Sequence, residues 1–147
     1  GVKEHLLGLH ALLGMAWLNL GEPGRAEESA RAAQAAYEDL GGEASGRIDH
    51  YGRLVYLWGD LAAARGELDS ADSYYRRSAE LFARAGDRLQ HGRTLLRVVE
   101  TSLARGARQE AVAWLHAAHQ ELENSPAPQD RQALANLAAR VESARQT

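Results

Sequence analysis

His116, His119 and Glu123 are separated by three and four residues, a spacing that gathers all three on one face of a helix and could offer two or three ligands to a divalent metal. So common a pattern is equally that of a solvated surface pair, and no HExxH accompanies it, so the expectation is that no metal is bound. His10 falls where a core imidazole is expected, whereas His5, His50 and His91 read as surface or helix-end residues. The serines occur as AEESARA, DSADSYY, TSLAR and ENSPA, without the G-x-S-x-G elbow that presents a nucleophile. GEPGR and GGEASGR lack the G-x4-G-K-[ST] order that cradles phosphate. The Glu27-Glu28 pair suits a helix start, where carboxylates meet the positive end of the helix dipole, better than it suits acid–base work. These residues point to no catalytic group and no cofactor, and the chain reads as a non-enzyme.

Bulk properties narrow the classes further. The chain has 147 residues, 45% of them apolar and 25% charged, enough for one domain with a real core. A net charge of −3 supplies no basic field for phosphates, so nucleic-acid binding by this segment is disfavoured. There is no cysteine, which removes disulfides, thiolate nucleophiles and cysteine-based zinc sites together. Leu6 to Leu20 resembles a signal-peptide core. Its length falls short of the roughly 20 residues of a membrane span, polar His10 and Asn19 interrupt it, and no small-x-small cleavage site follows. A soluble helix, no membrane association and a cytoplasmic location are the expectations.

The elements that must position any site are helices. Apolar residues recur with a 3.6-residue period nearly throughout, and no alternating β-branched run appears. The coarse reading places helices near 3–20, 24–40, 45–65, 68–85, 88–105, 108–124 and 130–145. Gly41-Gly42 closes the second, Gly86-Asp87 supplies a C-terminal glycine and an N-cap, Asp69 and Asp72 suit the start of the fourth, and Pro126 and Pro128 precede the last. One spacing recurs three times, a glycine followed five residues later by alanine: Gly21 and Ala26, Gly66 and Ala71, Gly106 and Ala111.

Around those anchors a longer pattern falls into register. His10, Leu13, Gly14 and Trp17 precede Gly21, with Ala26, Ala30 and Ala33 after it; Val55, Trp58, Gly59 and Ala62 precede Gly66, with Ala71, Tyr75 and Ser78 after it. Leu95, Val98, Val99 and Ser102 precede Gly106, with Ala111, Leu115 and Ala118 after it. The pattern resembles the tetratricopeptide repeat (TPR), W-x2-L-G-x2-Y on one helix and A-x3-F-x2-A on the next. The resemblance implies an all-α fold, a right-handed superhelix (α-solenoid) of three TPR-like helical hairpins plus a C-terminal helix. It makes the whole of 1–147 one domain, with repeats about 3–41, 45–86 and 88–124 and a final helix about 130–145. The turn glycines are 45 and then 40 residues apart, longer than the 34-residue standard, and the excess is expected as extended second helices, by Tyr37 to Leu40 in the first. Such extended repeats, joined by segments like LFARAGDR, are similar to sensor and scaffold regions of bacterial multidomain regulators.

In the TPR family the first helices line a concave surface that holds ligands. Carried over position by position, that surface comprises Ala11, Met15 and Asn19, then Arg53, Tyr56 and Asp60, then Arg93, Arg97, Glu100 and Leu103. Two readings stand side by side: Arg53, Arg93 and Arg97 receive an acidic group of a protein or peptide, or they pair with Asp60 and Glu100 across neighbouring helices. Ala11 and Met15 replace the lysine and asparagine of the family's carboxylate clamps, which argues against a chaperone tail. The implied function is a protein or peptide interaction scaffold within a larger bacterial-type protein; the alternative is a ligand- or peptide-sensing regulatory module of a transcriptional or signalling protein. Trp58 is expected in the core. Trp114, with Tyr74, marks either a convex contact or packing against the neighbouring helix. The first helix is apolar nearly all round, so Leu6 and Leu9 are candidate interface residues, for an upstream segment or for a homo-oligomer through this helix.

Overall fold

The computed structural model describes residues 2–145 as seven α-helices: α1 Val2–Asn19, α2 Pro23–Asp39, α3 Ile48–Ala64, α4 Leu68–Arg84, α5 Arg88–Ala104, α6 Arg108–Leu122 and α7 Pro128–Arg145. No strand occurs among the described residues. The helices pack as consecutive antiparallel pairs, α1 with α2, α3 with α4 and α5 with α6, and α7 lies against α5 and α6. α2 extends through Tyr37 to Asp39, with Leu40 as its cap, as expected, but it is no longer than α4, so a longer helix does not explain why the first spacing exceeds the second. α2 and α4 each have 17 residues, and the extra chain is taken up by a short 3-10 helix, Gly42–Ser45, so that α3 begins at Ile48.

One turn chemistry closes four helices. Gly21, Gly66, Gly86 and Gly106 all have φ between 74° and 77°, a left-handed conformation that costs a residue with a Cβ about 1 kcal/mol or more. In each case the next residue donates its N–H to a carbonyl five residues back: Glu22 to Trp17, Glu67 to Ala62, Asp87 to Phe82 and Ala107 to Ser102, at 2.8–3.0 Å. That is the Schellman closure, which satisfies carbonyls that the helix end would otherwise orphan. The donor residue is already the N-cap of the following helix, and Asp87 completes its cap by accepting from the N–H of Gln90 at 3.1 Å. The same turn therefore joins α4 to α5 as joins the two halves of each pair.

Glycine also sets how close the helices lie. A Cβ built on Gly59 would stand 2.7 Å from the Tyr75 ring, one on Gly92 would stand 2.7 Å from Leu122, and one on Gly52 would stand 3.1 Å from Phe82. Gly14 is likewise closed over by Leu57. Gly52 and Gly92 are 40 residues apart, as are Phe82 and Leu122, so the second and third pairs repeat one glycine-under-bulky-residue contact. Ser78 reinforces it by donating its hydroxyl to the Gly52 carbonyl at 2.7 Å, inside the core. Around these contacts lie buried Leu7, Leu54, Leu57 and Leu61 at the N-terminal end and Leu95, Val99, Leu122 and Leu137 at the other. Trp58, expected in the core, is only partly buried and packs against the edge of the first cluster.

Neighbouring pairs are also tied by a repeated ion pair. The acid after the turn alanine of one pair receives the arginine before the turn glycine of the next: Glu27 from Arg65 at 2.7 Å and Asp72 from Arg105 at 3.2 Å. Each acid also holds an arginine one turn along its own helix, Arg31 and Arg76. Asp72, expected as a helix-start acid, is instead buried and accepts a third hydrogen bond from Thr101 at 2.6 Å.

Gly59→Ala should overpack the α3–α4 contact and lower unfolding stability by about 1–3 kcal/mol. Gly24→Ala, at an α2 position where nothing lies within 4 Å and φ is not positive, should raise it by roughly 0.5 kcal/mol through helix propensity. Urea titrations of the two variants check both signs, and a Gly59→Ala protein as stable as the parent would refute the close-packing account.

Candidate functional site

α1, α3 and α5 present their sides to a common groove. A cavity of about 290 Å3 opens there, lined by Leu12 and Met15 of α1, Arg53 and Tyr56 of α3, Phe82 of α4, and Gln90 and Arg93 of α5. Residues three and four apart on a helix share a face, which is why Leu12 and Met15, Arg53 and Tyr56, and Gln90 and Arg93 each arrive as a pair. Phe82 is 2% exposed and forms the floor, reached over the missing side chain of Gly52.

Beside the cavity, most charges are already matched. Arg97 donates through Nε to the Tyr56 hydroxyl at 2.8 Å and through Nη1 to Glu100 at 3.4 Å. Its guanidinium carbon lies 5.9 Å from the Tyr56 ring centre, within reach of a cation–π contact. Tyr75 donates its hydroxyl to Asp60, and its ring meets that of Tyr56 edge-on with centroids 5.4 Å apart. Burial pushes the Asp60 carboxyl above the usual carboxylate range, against the opposing pull of the Tyr75 hydrogen bond and the Arg97 charge. Burial likewise raises the Tyr56 and Tyr75 hydroxyls, so both stay protonated, Tyr75 as a donor to Asp60 and Tyr56 as the acceptor of the Arg97 bond. For Arg97 burial works against the charge, but Tyr56, Asp60 and Glu100 outweigh it and the guanidinium is held more firmly than usual. Asp60, Arg97 and Glu100 are thus all engaged by their neighbours, and Arg97 is left with no free fork.

Arg93 is engaged by a residue outside the expected groove. Its Nε and Nη2 donate to the two carboxylate oxygens of Asp130 at 2.9 and 3.0 Å, a two-pronged pair. Asp130 lies in the first turn of α7, is buried, and accepts a further hydrogen bond from Ser125 at 2.6 Å. Ser125 Oγ in turn accepts the N–H of Ala127 at 3.2 Å, and the Ser125 carbonyl accepts from Arg131 at 2.7 Å. The knot fixes how α7 enters the stack. Arg93 therefore lines the cavity with its flank while its fork is occupied.

Arg53 is the exception. It is half-exposed, lines the cavity, and makes no hydrogen bond or ion pair among the described residues. Of the three arginines expected to receive an acid, one is uncommitted. Met15 and Tyr56 stand beside it as expected, Asn19 is exposed beyond the cavity, and Ala11 is buried at 1% exposure against the neighbouring helices. Leu12, Phe82 and Gln90 were not anticipated. The signal for Phe82 was present as its 40-residue pairing with Leu122 and that of Gly52 with Gly92. Nothing comparable marks Asp130.

The other candidates resolve as follows. Trp114 is partly buried between two core clusters, with the Arg76 guanidinium 5.1 Å from its ring centre, so it packs against its neighbours; Tyr74 is 39% exposed. Leu6 and Leu9 are 40% and 51% exposed. His119 Nδ1 lies 3.5 Å from Glu123 and His116 faces Gln120 at 3.4 Å. No group of three metal-ligating side chains converges among the described residues. These histidines rim an apolar groove of about 540 Å3 between α6 and α7, walled by Val112, Leu115, Leu134 and Ala138. No described helix is long and apolar enough to cross a membrane.

Comparison with protein-family models, with curated proteins and with solved structures finds no match to this chain.

Asp130→Asn should destabilise the fold by about 2 kcal/mol at pH 7, through loss of a buried charge-assisted pair. The Arg93 hydrogen bonds hold the Asp130 carboxyl below its ordinary range. Its contribution is therefore complete above the unfolded-state value near 4 and is lost as pH falls through the lower folded-state value. Denaturant titrations from pH 7 down to about 2 should show the gap between parent and variant closing at the acid end; a gap that is constant with pH would refute the assignment.

Proposed function

We propose that this chain is a TPR-like interaction domain, three helical hairpins and a further helix wound as a right-handed solenoid, which holds a peptide segment in the groove between α1, α3 and α5. The bound segment carries an acidic side chain to Arg53 and a neighbouring apolar side chain into the pocket formed by Leu12, Met15 and Phe82. The observation that carries this reading is the uncommitted Arg53 at the mouth of an otherwise apolar cavity whose remaining charges are internally paired. An arginine fork next to apolar surface is suited to two-pronged capture of a carboxylate, while the apolar wall supplies the contact area.

The size of the cavity favours a peptide over a free small molecule. About 290 Å3 lies just under the lower end of the roughly 300–1,000 Å3 typical of ligand pockets, and it accommodates one or two side chains of a longer segment. The role is placement of a partner, without chemistry, and the cytoplasm is the proposed setting.

The test is fluorescence anisotropy with a panel of labelled peptides that carry Asp or Glu next to Leu or Phe, each paired with its Asn or Gln counterpart. Acid-bearing peptides should bind, and Arg53→Glu should weaken them by about tenfold or more, with circular dichroism unchanged because Arg53 makes no intramolecular pair. Equal binding of the acid and amide peptides, or affinity that survives Arg53→Glu, would remove the proposal.

A further inference from the structure

Along the outer side of α1 and into the first residue of the turn that ends it, one series of residues stands four, three, four, three and four apart: Val2, Leu6, Leu9, Leu13, Ala16 and Leu20. That is the a/d spacing of a two-helix seam, narrower than the broad stripe of a helix packed on a globular core. At about 100° per residue it lies opposite Leu7, Ala11 and Gly14, the buried residues through which α1 packs on its own chain. Its members are unpartnered: Val2 is 76% exposed, Leu6 40%, Leu9 51%, Leu13 41% and Leu20 71%, and Ala16 is exposed as well. Single exposed leucines are ordinary, but a heptad-spaced row of them along about 27 Å of helix is a surface shaped for another helix.

We infer that this seam pairs with the same seam of a second copy of the chain, antiparallel, about a two-fold axis that passes beside residue 11. The register is self-complementary. In an antiparallel pair each a position faces a d position of the partner, and here the facing residues are those whose numbers add to 22: Leu9 with Leu13, Leu6 with the small Ala16, and Val2 with Leu20. Both members of every such pair belong to the seam, which is what a two-fold interface requires. Large meets small at Leu6 and Ala16, so the helices can approach evenly along the seam.

The flanks raise little electrostatic objection. The positions beside the seam are Lys3, His10 and Trp17 on one side and His5, Leu12 and Asn19 on the other, with Lys3 the one permanent charge. Antiparallel pairing brings equivalent flanks together, so Leu12 comes beside its counterpart and Lys3 beside Trp17 of the second copy, whose ring already holds the Arg25 guanidinium at 4.7 Å, an exposed like-charge approach that salt screens. Glu4, the acid of this helix, belongs to its inward half. Since one helix pair of this length lies at or below the lower limit of about 1,200 Å2 for stable interfaces, the association is concentration-dependent, with a dissociation constant on the order of 10 μM.

Sedimentation equilibrium of the chain between about 1 and 300 μM should follow a monomer–dimer isotherm, and Leu9→Glu with Leu13→Glu should raise the dissociation constant by about a hundredfold. Both leucines are exposed in the single chain, so circular dichroism should show unchanged helix content and melting. The register is read by crosslinking, for which the absence of cysteine is convenient. An equimolar mixture of Leu9→Cys and Leu13→Cys proteins should form a disulfide-linked heterodimer under mild oxidation, while either variant alone should not. A strict monomer throughout the range would overturn the inference and leave the seam to a preceding segment or another protein. Efficient crosslinking of Leu9→Cys to itself would mean parallel pairing, and open-ended oligomers would mean head-to-tail stacking; either overturns it.

Discussion

Two helices can lie close enough for one to bury the backbone of the other only where a side chain is missing. Among the described residues that condition is met four times, by Leu57 over Gly14, Phe82 over Gly52, Tyr75 over Gly59 and Leu122 over Gly92. Dispersion falls off steeply with distance, so these contacts fix the spacing of the helices to a fraction of an ångström and the leucine clusters fill in around them. The groove inherits its form from the same contacts. Phe82 becomes a floor because Gly52 lets its ring through, and Tyr75 reaches Asp60 because its ring packs where a side chain on Gly59 would stand. Tyr56 is then held between Tyr75 and Arg97, and Arg97 is withdrawn from any ligand.

Many of the polar residues hold the stack together. Asp72 with Arg76, Arg105 and Thr101, and Asp130 with Arg93 and Ser125, are buried carboxylates whose lone pairs are filled by neighbouring helices. Such pairs add less net stability than their number suggests, because desolvation offsets attraction, but losing one partner leaves an uncompensated charge. They define which helix follows which. Of the two arginines that line the cavity, Arg93 is held in this way and Arg53, set among Leu12, Met15 and Phe82, is not.

Helices and turns were legible in the sequence because they rest on local rules: apolar periodicity within one helix, and glycine at a position whose φ must be positive. The boundaries fall within a few residues of those expected, and Gly21, Gly66 and Gly106 close helices as anticipated. The site was legible in part. Met15, Arg53 and Tyr56 follow from one helix face, but Asp130 is 37 residues from Arg93 and reaches it only once α7 has docked. Whether an arginine is free depends on such distant partners. α2 runs on through Tyr37 to Asp39 as expected, but the connector after it went unread for a related reason: a long spacing does not say whether a longer helix fills all of it, and Gly41 and Gly42, with φ of 100° and 63°, add the connector.

That connector makes the stack mechanically uneven. From Ile48 to Leu122 every helix is joined to the next by the same three-residue turn, a C-cap, a glycine and an N-cap, which leaves that stretch little slack between its helices. α1 and α2 are attached to it through the 3-10 segment, through buried leucines, and through the exposed Glu27–Arg65 bridge, which resists displacement weakly in salt. Leu12 and Met15 ride on the first hairpin, and Arg53, Phe82 and Gln90 on that stretch. The opening of the groove is therefore set by how the first hairpin seats on the other two, and Leu12, which lines the groove and also flanks the outer seam of α1, belongs to both surfaces.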